Sequence, residues 1–270
     1  GAFASAAEAE LNCIACCAGS SGPGHVHLIN GLYDAHRSNC SVLAIASTCP
    51  SDQFGTGYFQ ETDPIRLFDD CSGYNQMAVT PAQFARMLPA ALQHAVHKRE
   101  VAVVGLPGDV AASPCAESPG ASGPLPSHGI YRPLDGELRQ LAEMIGSAGR
   151  ITVFCGIGAR EAHDEVVRLA AMLKAPVAYT FKAKMEVQYD NPYEIGMTGL
   201  LGLPSAYGAM HESDLLLLLG TDFPYDCFLP SECRIAQVDI RPERIGRRAR
   251  VELGLAGDVK DTLQALLPML

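Results

Sequence analysis

Residues 214–224 read Asp-Leu-Leu-Leu-Leu-Leu-Gly-Thr-Asp-Phe-Pro, five consecutive leucines closed by a glycine and a proline. Such a run has no polar face. It fits a strand of a parallel sheet covered on both sides, and it is too short for a buried helix. Ligands of open α/β sheets gather beyond the carboxyl ends of such strands. Gly220, Thr221, Asp222, Phe223 and Pro224 therefore stand where a nucleotide-like molecule would lie. A second strand, Arg234–Ile240, ends in Asp239, an acceptor suited to ribose hydroxyls. The same spacing also fits a plain core strand with a glycine turn.

The chain has 270 residues, enough for two domains, and 48% of them are hydrophobic against 19% charged. No apolar run approaches the ~20 residues of a membrane span, so the expectation is a cytoplasmic protein. A formal net charge of −10 argues against a nucleic-acid partner, which calls for a basic face. The local cluster Arg244, Arg247, Arg248 and Arg250 reads as a solvated helix end, with a phosphate contact as the alternative. Of the ten cysteines, Cys16, Cys17, Cys40 and Cys155 sit in apolar runs and read as small buried hydrophobes. Cys13 and Cys16 form a Cys-x-x-Cys followed by His25 and His27, but the second cysteine pair of a zinc ribbon is missing.

Along the chain, strand and helix patterns alternate. A helix over Ala2–Leu11 and a strand over Asn12–Cys17 precede a glycine-rich turn, Gly22-Pro23-Gly24, that opens into a helix. Small residues there let a backbone approach a ligand closely, and no Walker lysine follows. Strands over Ser41–Ala46 and Val101–Leu106 flank a polar loop carrying Tyr58, Phe59 and Gln60, and Pro81–Lys98 reads as a helix bent at Pro89. Residues 112–133 turn abruptly to Ala, Ser, Pro and Gly, a linker. Beyond it a strand over Ile151–Cys155 ends in Gly156-Ile157-Gly158, with a helix over Arg160–Leu173. This is two-thirds of a dinucleotide fingerprint, because Glu161 replaces the third glycine. A strand over Pro176–Thr180 leads to Lys182 and Lys184, and a loop spans Gly196–Leu200. The fold expected is α/β, two doubly wound parallel-sheet domains joined by a Pro/Gly/Ser-rich linker.

Several motifs in fixed order carry a resemblance. Residues 22–35, 42–46, 58–61 and 106–110 resemble the pyrimidine-binding domain of thiamine-diphosphate-dependent 2-oxo acid enzymes. Residues 190–193, 196–200, 220–224 and 237–240 resemble the central domain of the flavin-containing branch, pyruvate oxidase or pyruvate dehydrogenase (quinone) above all. The resemblance implies a truncated pyrimidine-binding domain over 1–111 and a central FAD domain over 134–270. It implies oxidative decarboxylation of pyruvate with electrons passed to quinone or oxygen. Phe59 and Gln60 would stand beside the reacting carbon, and Gly22, Pro23, Gly24 and Asn30 near the pyrimidine, with His25 a departure from the usual Asn. Met197, Thr198, Gly199, Leu200, the 220–224 segment and Asp239 would hold FAD, joined by Gly156, Gly158 and Lys182.

By the same resemblance the catalytic glutamate would lie just upstream of residue 1, and the domain binding diphosphate and Mg2+ would follow Leu270. The chain is then expected to be a fragment, inactive alone. A full-length homodimer or homotetramer is implied, with any peripheral membrane contact made through a carboxyl-terminal segment outside these residues. Alternatives are an acetolactate synthase or glyoxylate carboligase with a structural FAD, and a non-catalytic nucleotide-binding module.

Overall fold

The computed structural model describes residues 1–115, 125 and 129–270, so most of the 112–133 linker lies outside the described residues. It divides the chain into two compact units, Gly1–Ser127 and His128–Leu270. Both are α/β with a parallel sheet.

The first unit runs α1 (Ala2–Asn12), β1 (Ala15–Gly19), α2 (Pro23–Val26), α3 (Ile29–Ser38), β2 (Val42–Thr48), α4 (Pro64–Leu67), β3 (Tyr74–Met77), α5 (Pro81–Lys98), β4 (Val101–Pro107) and α6 (Gly108–Ala112). Its strand order is β1-β2-β4-β3. Successive side chains of a strand point to opposite faces, and β2 and β4 are apolar on both. Val42, Ala44, Ala46, Val101 and Val103 join Ala2, Ala6, Leu32 and Ala35 in one core. Leu43, Ala102 and Val104 join Met87, Ala91 and Ala95 of α5 in the other. The expected strand at Asn12 begins instead at Ala15, because α1 continues to Asn12 and Cys13 turns the chain with φ 69°. Cys16, expected in the core, is exposed on the edge strand β1.

The second unit runs α7 (Asp135–Gly146), β5 (Ile151–Cys155), α8 (His163–Leu173), β6 (Val177–Tyr179), α9 (Lys184–Val187), β7 (Glu194–Met197), α10 (Pro204–His211), β8 (Leu215–Leu219), β9 (Arg234–Asp239), β10 (Leu253–Ala256) and α11 (Val259–Leu266). The order is β10-β9-β8-β5-β6-β7, so the leucine run is an inner strand. All five of its leucines are buried. Leu215, Leu217 and Leu219 pack with α7, α8 and α11, and Leu216 and Leu218 with Ala206 and Met210 of α10.

Some boundaries differ from the sequence reading. The helix expected from Arg160 starts at His163, after a 3-10 turn over Ile157–Ala159, and its first turn carries Asp164 and Glu165, which suit a helix amino terminus. The loop expected at Gly196–Leu200 begins inside β7. The arginines near residue 247 do not end an α-helix. Arg244 closes a 3-10 turn, Pro242–Arg244, the others follow it, and Arg244, Arg247 and Arg248 converge on Asp222. No described helix is long and apolar enough to cross a membrane.

Candidate cofactor-binding rims

In the first unit β1 delivers the chain to a turn in which Gly22 has φ +64°, and Pro23 opens α2. A Cβ on Gly22 would lie 2.7 Å from Cβ of Gln60, so only glycine lets these backbones meet. The Ser21 hydroxyl donates to the Gln60 carbonyl at 2.8 Å. Gln60 itself has φ +60°, a left-handed conformation uncommon outside glycine, which requires surrounding structure to hold it. That structure is local as well as distant. The Glu61 carboxylate accepts the N–H groups of Gly55, Gly57 and Tyr58, and these donors hold its pKa below the usual carboxylate range. Ser51 bonds Asp109 at 2.8 and 2.6 Å, tying the loop to the first turn of α6, just beyond β4. Phe59 is 79% exposed beside Gln60. The structure thus brings Gly22 and Gln60 together, with Gly24 packed on Ser20, whereas Pro23 and Asn30 are exposed on α2 and α3.

In the second unit all strands run the same way, so their carboxyl ends share one rim. Gly156 N–H bonds the Leu219 carbonyl at 2.9 Å and Gly158 N–H the Gly220 carbonyl at 3.0 Å. A Cβ on Gly156 would lie 2.3 Å from the Gly220 oxygen. These two turns interlock only as glycines. The hydroxyls of Thr221 and Thr198 are buried without a hydrogen-bond partner, the kind of orphan a polar ligand would satisfy. Asp239 is 5% exposed, and its Oδ1 accepts Arg241 N–H at 2.9 Å; burial raises its pKa, against the pull of Arg244 and Arg241. Phe223 meets Phe154 edge-on at 5.4 Å, and a Cβ on Gly199 would lie 3.1 Å from its ring, so the turns after β7 and β8 come together.

Asp222 is drawn into a cluster, with Arg247, Arg248 and Arg244 at 3.4, 3.7 and 3.8 Å. Lys182, Leu200 and Pro224 are exposed on the turns of this rim. Met197 lines a cleft of about 390 Å³ with Tyr179, Lys184, Glu194, Leu201 and Leu203. There Tyr179 donates to Glu194 at 3.1 Å, and burial together with that carboxylate pushes its phenol up to about 12. Sequence reasoning missed Glu194, which sits on an unforeseen edge strand, and Tyr179, which reads as an ordinary strand residue. The Lys182–Lys184 pair at a strand end was the available signal for Lys184.

Orphan hydroxyls, a buried carboxylate acceptor and glycine turns at one rim fit a nucleotide-bearing group. The Gly22–Gln60 contact joins the glycine turn to the loop that carries Phe59.

Comparison with known proteins bears on both units. Residues 1–67 match the thiamine pyrophosphate enzyme N-terminal TPP binding domain, and residues 138–266 the thiamine pyrophosphate enzyme central domain. The uncharacterized 42.6 kDa protein of the isoamylase 3' region of Pseudomonas amyloderamosa is 50% identical over 100% of this chain and 68% of its own length. Pyruvate oxidase of Lactiplantibacillus plantarum is 30% identical over 99% of the chain and 45% of its own length. Acetolactate synthase of Mycobacterium bovis is 30% identical over 94% and 43%. The chain thus spans less than half of these two enzymes. With both domain models matched in order, and half of its residues identical in a relative of which it covers 68%, the chain belongs to the thiamine pyrophosphate enzyme family, of which it carries the N-terminal and central domains.

Proposed function

We propose that the whole protein oxidatively decarboxylates a 2-oxo acid, pyruvate foremost, to acetate and CO2, with water consumed and two electrons passed to a quinone or to oxygen. Thiamine diphosphate would supply the carbanion chemistry that releases CO2, and FAD the two-electron oxidation. The chain's own residues bind and orient. The Gly22–Gly24 turn would admit the pyrimidine, with Asn30 nearby, while Phe59 and Gln60 cover and hydrogen-bond the reacting substrate. On the second rim Thr198 and Thr221 would donate to FAD and Asp239 would accept from its ribose, with Gly156, Gly158 and Gly220 giving close backbone approach. Mg2+ would be held by a part of the protein outside these residues. A cytoplasmic homodimer or homotetramer goes with this reading.

The observation that carries it is Gln60, held in a left-handed conformation against Gly22 with Phe59 exposed at its side. A second reading, an acetolactate-forming enzyme with structural FAD, has support in a synthase relative at the same 30% identity as the oxidase. Incubating the complete protein with pyruvate, thiamine diphosphate, Mg2+, FAD and a two-electron-accepting dye separates them. Acetate formed in step with dye reduction supports the oxidase, and acetolactate without dye reduction supports the synthase. The 270-residue chain alone is expected to quench flavin fluorescence and to reduce no dye. Dye reduction by that chain would overturn the division of labour proposed here.

A further inference from the structure

We propose that His25 is a positioning residue that fixes the Phe59–Gln60 pair through the hydroxyl of Thr62. His25 is fully buried, edge-on to Phe68 with ring centroids 6.0 Å apart. Its Nδ1 lies 2.8 Å from the Ser47 carbonyl oxygen. A carbonyl only accepts, so Nδ1 bears the proton, and in the neutral ring Nε2 is a bare acceptor. Thr62 Oγ1 sits 2.6 Å from that nitrogen and donates to it. Burial lowers the His25 pKa and favours this neutral form.

The imidazole therefore ties the end of β2 to the residue two positions beyond Gln60. On the other side, Ser21 holds the Gln60 carbonyl. The bonds of Glu61 to residues 55–58 are internal to the loop, whereas Ser21 and His25 both reach it from the glycine-rich turn. Together they bracket the left-handed residue. Positions this close to a reacting group need such support, because a small misplacement is costly. Calling the bracketed pair the reacting one rests on the function proposed above.

Thr62→Val removes the hydroxyl at nearly constant volume, and Thr62→Ser keeps it. Two measurements on the 270-residue chain need no cofactor. In 15N-histidine spectra, His25 of the wild type and of Thr62→Ser should show the neutral Nδ1–H tautomer, and Thr62→Val should displace its Nε2 resonance. Limited proteolysis should nick residues 51–63 about fivefold faster in Thr62→Val than in Thr62→Ser, the scale of one lost hydrogen bond. In the complete protein supplied with thiamine diphosphate, kcat should fall about tenfold in Thr62→Val with KM little changed, and Thr62→Ser should restore it. An Nε2–H tautomer, equal nicking of the two variants, or an unchanged kcat in Thr62→Val would overturn the proposal. A wild-type protein without 2-oxo acid turnover overturns the functional reading instead, and the tautomer and nicking results still decide the tie.

Discussion

Under the proposed function, Asp239 would serve binding at the expense of stability. Its carboxyl is buried at the end of β9, and burial raises its pKa. The ionised form is thus disfavoured in the folded chain, and that penalty is full above the raised native value and absent below the ordinary aspartate range. Asp239→Asn should therefore raise Tm at pH 7, and the gain should vanish on acidification through that range. The same variant should weaken FAD binding about tenfold, read by flavin fluorescence, as a charge-assisted acceptor is lost. Gly156→Ala should cost about 2 kcal/mol in urea unfolding, since the turns it separates are in contact. Gly156 and Gly220 were legible in the sequence because only glycine serves there. Asp222 reads as a ligand contact in the sequence, but its arginine partners, more than twenty residues later, are visible only in the fold. His25 gave no local hint of its role, because Thr62 lies 37 positions away and only the fold joins them.

Elements were legible in proportion to how deeply they lie in the sheets. The inner strands β2, β4, β5 and β8 are apolar on both faces and announce themselves as unbroken runs. Three of the four edge strands escaped notice: Tyr-Asn-Gln-Met in β3, Glu-Ile-Gly-Met in β7 and Leu-Gly-Leu-Ala in β10 are short and only partly covered. An edge strand takes its conformation from its neighbour's hydrogen bonds, and its composition need not record that. The inner position of β8 sets the cost of truncating it. Leu217→Ala should destabilise the second unit by about 3 kcal/mol, measured by denaturant unfolding. In α5, Pro89 sits inside a helix that continues unbroken from Pro81 to Lys98. Its missing N–H and its ring disfavour that conformation, so Pro89→Ala should raise the stability of the first unit by about 2 kcal/mol.

At the scale of the whole molecule, each unit is a parallel sheet with helices on both faces and carries its own candidate rim. The rims should answer separately. Thr221→Val is expected to lower flavin affinity about fivefold while leaving nicking of residues 51–63 unchanged, and Thr62→Val to do the reverse. Parallel fluorescence and proteolysis on both variants check this. The margin of the second sheet has a further consequence. Along β7 the N–H of Gly196 is taken by the Glu194 carboxylate, and the carbonyl of Met197 by the N–H of Leu203. A stray extended peptide arriving there finds these two groups already engaged, which weakens that border as a template for a neighbouring molecule.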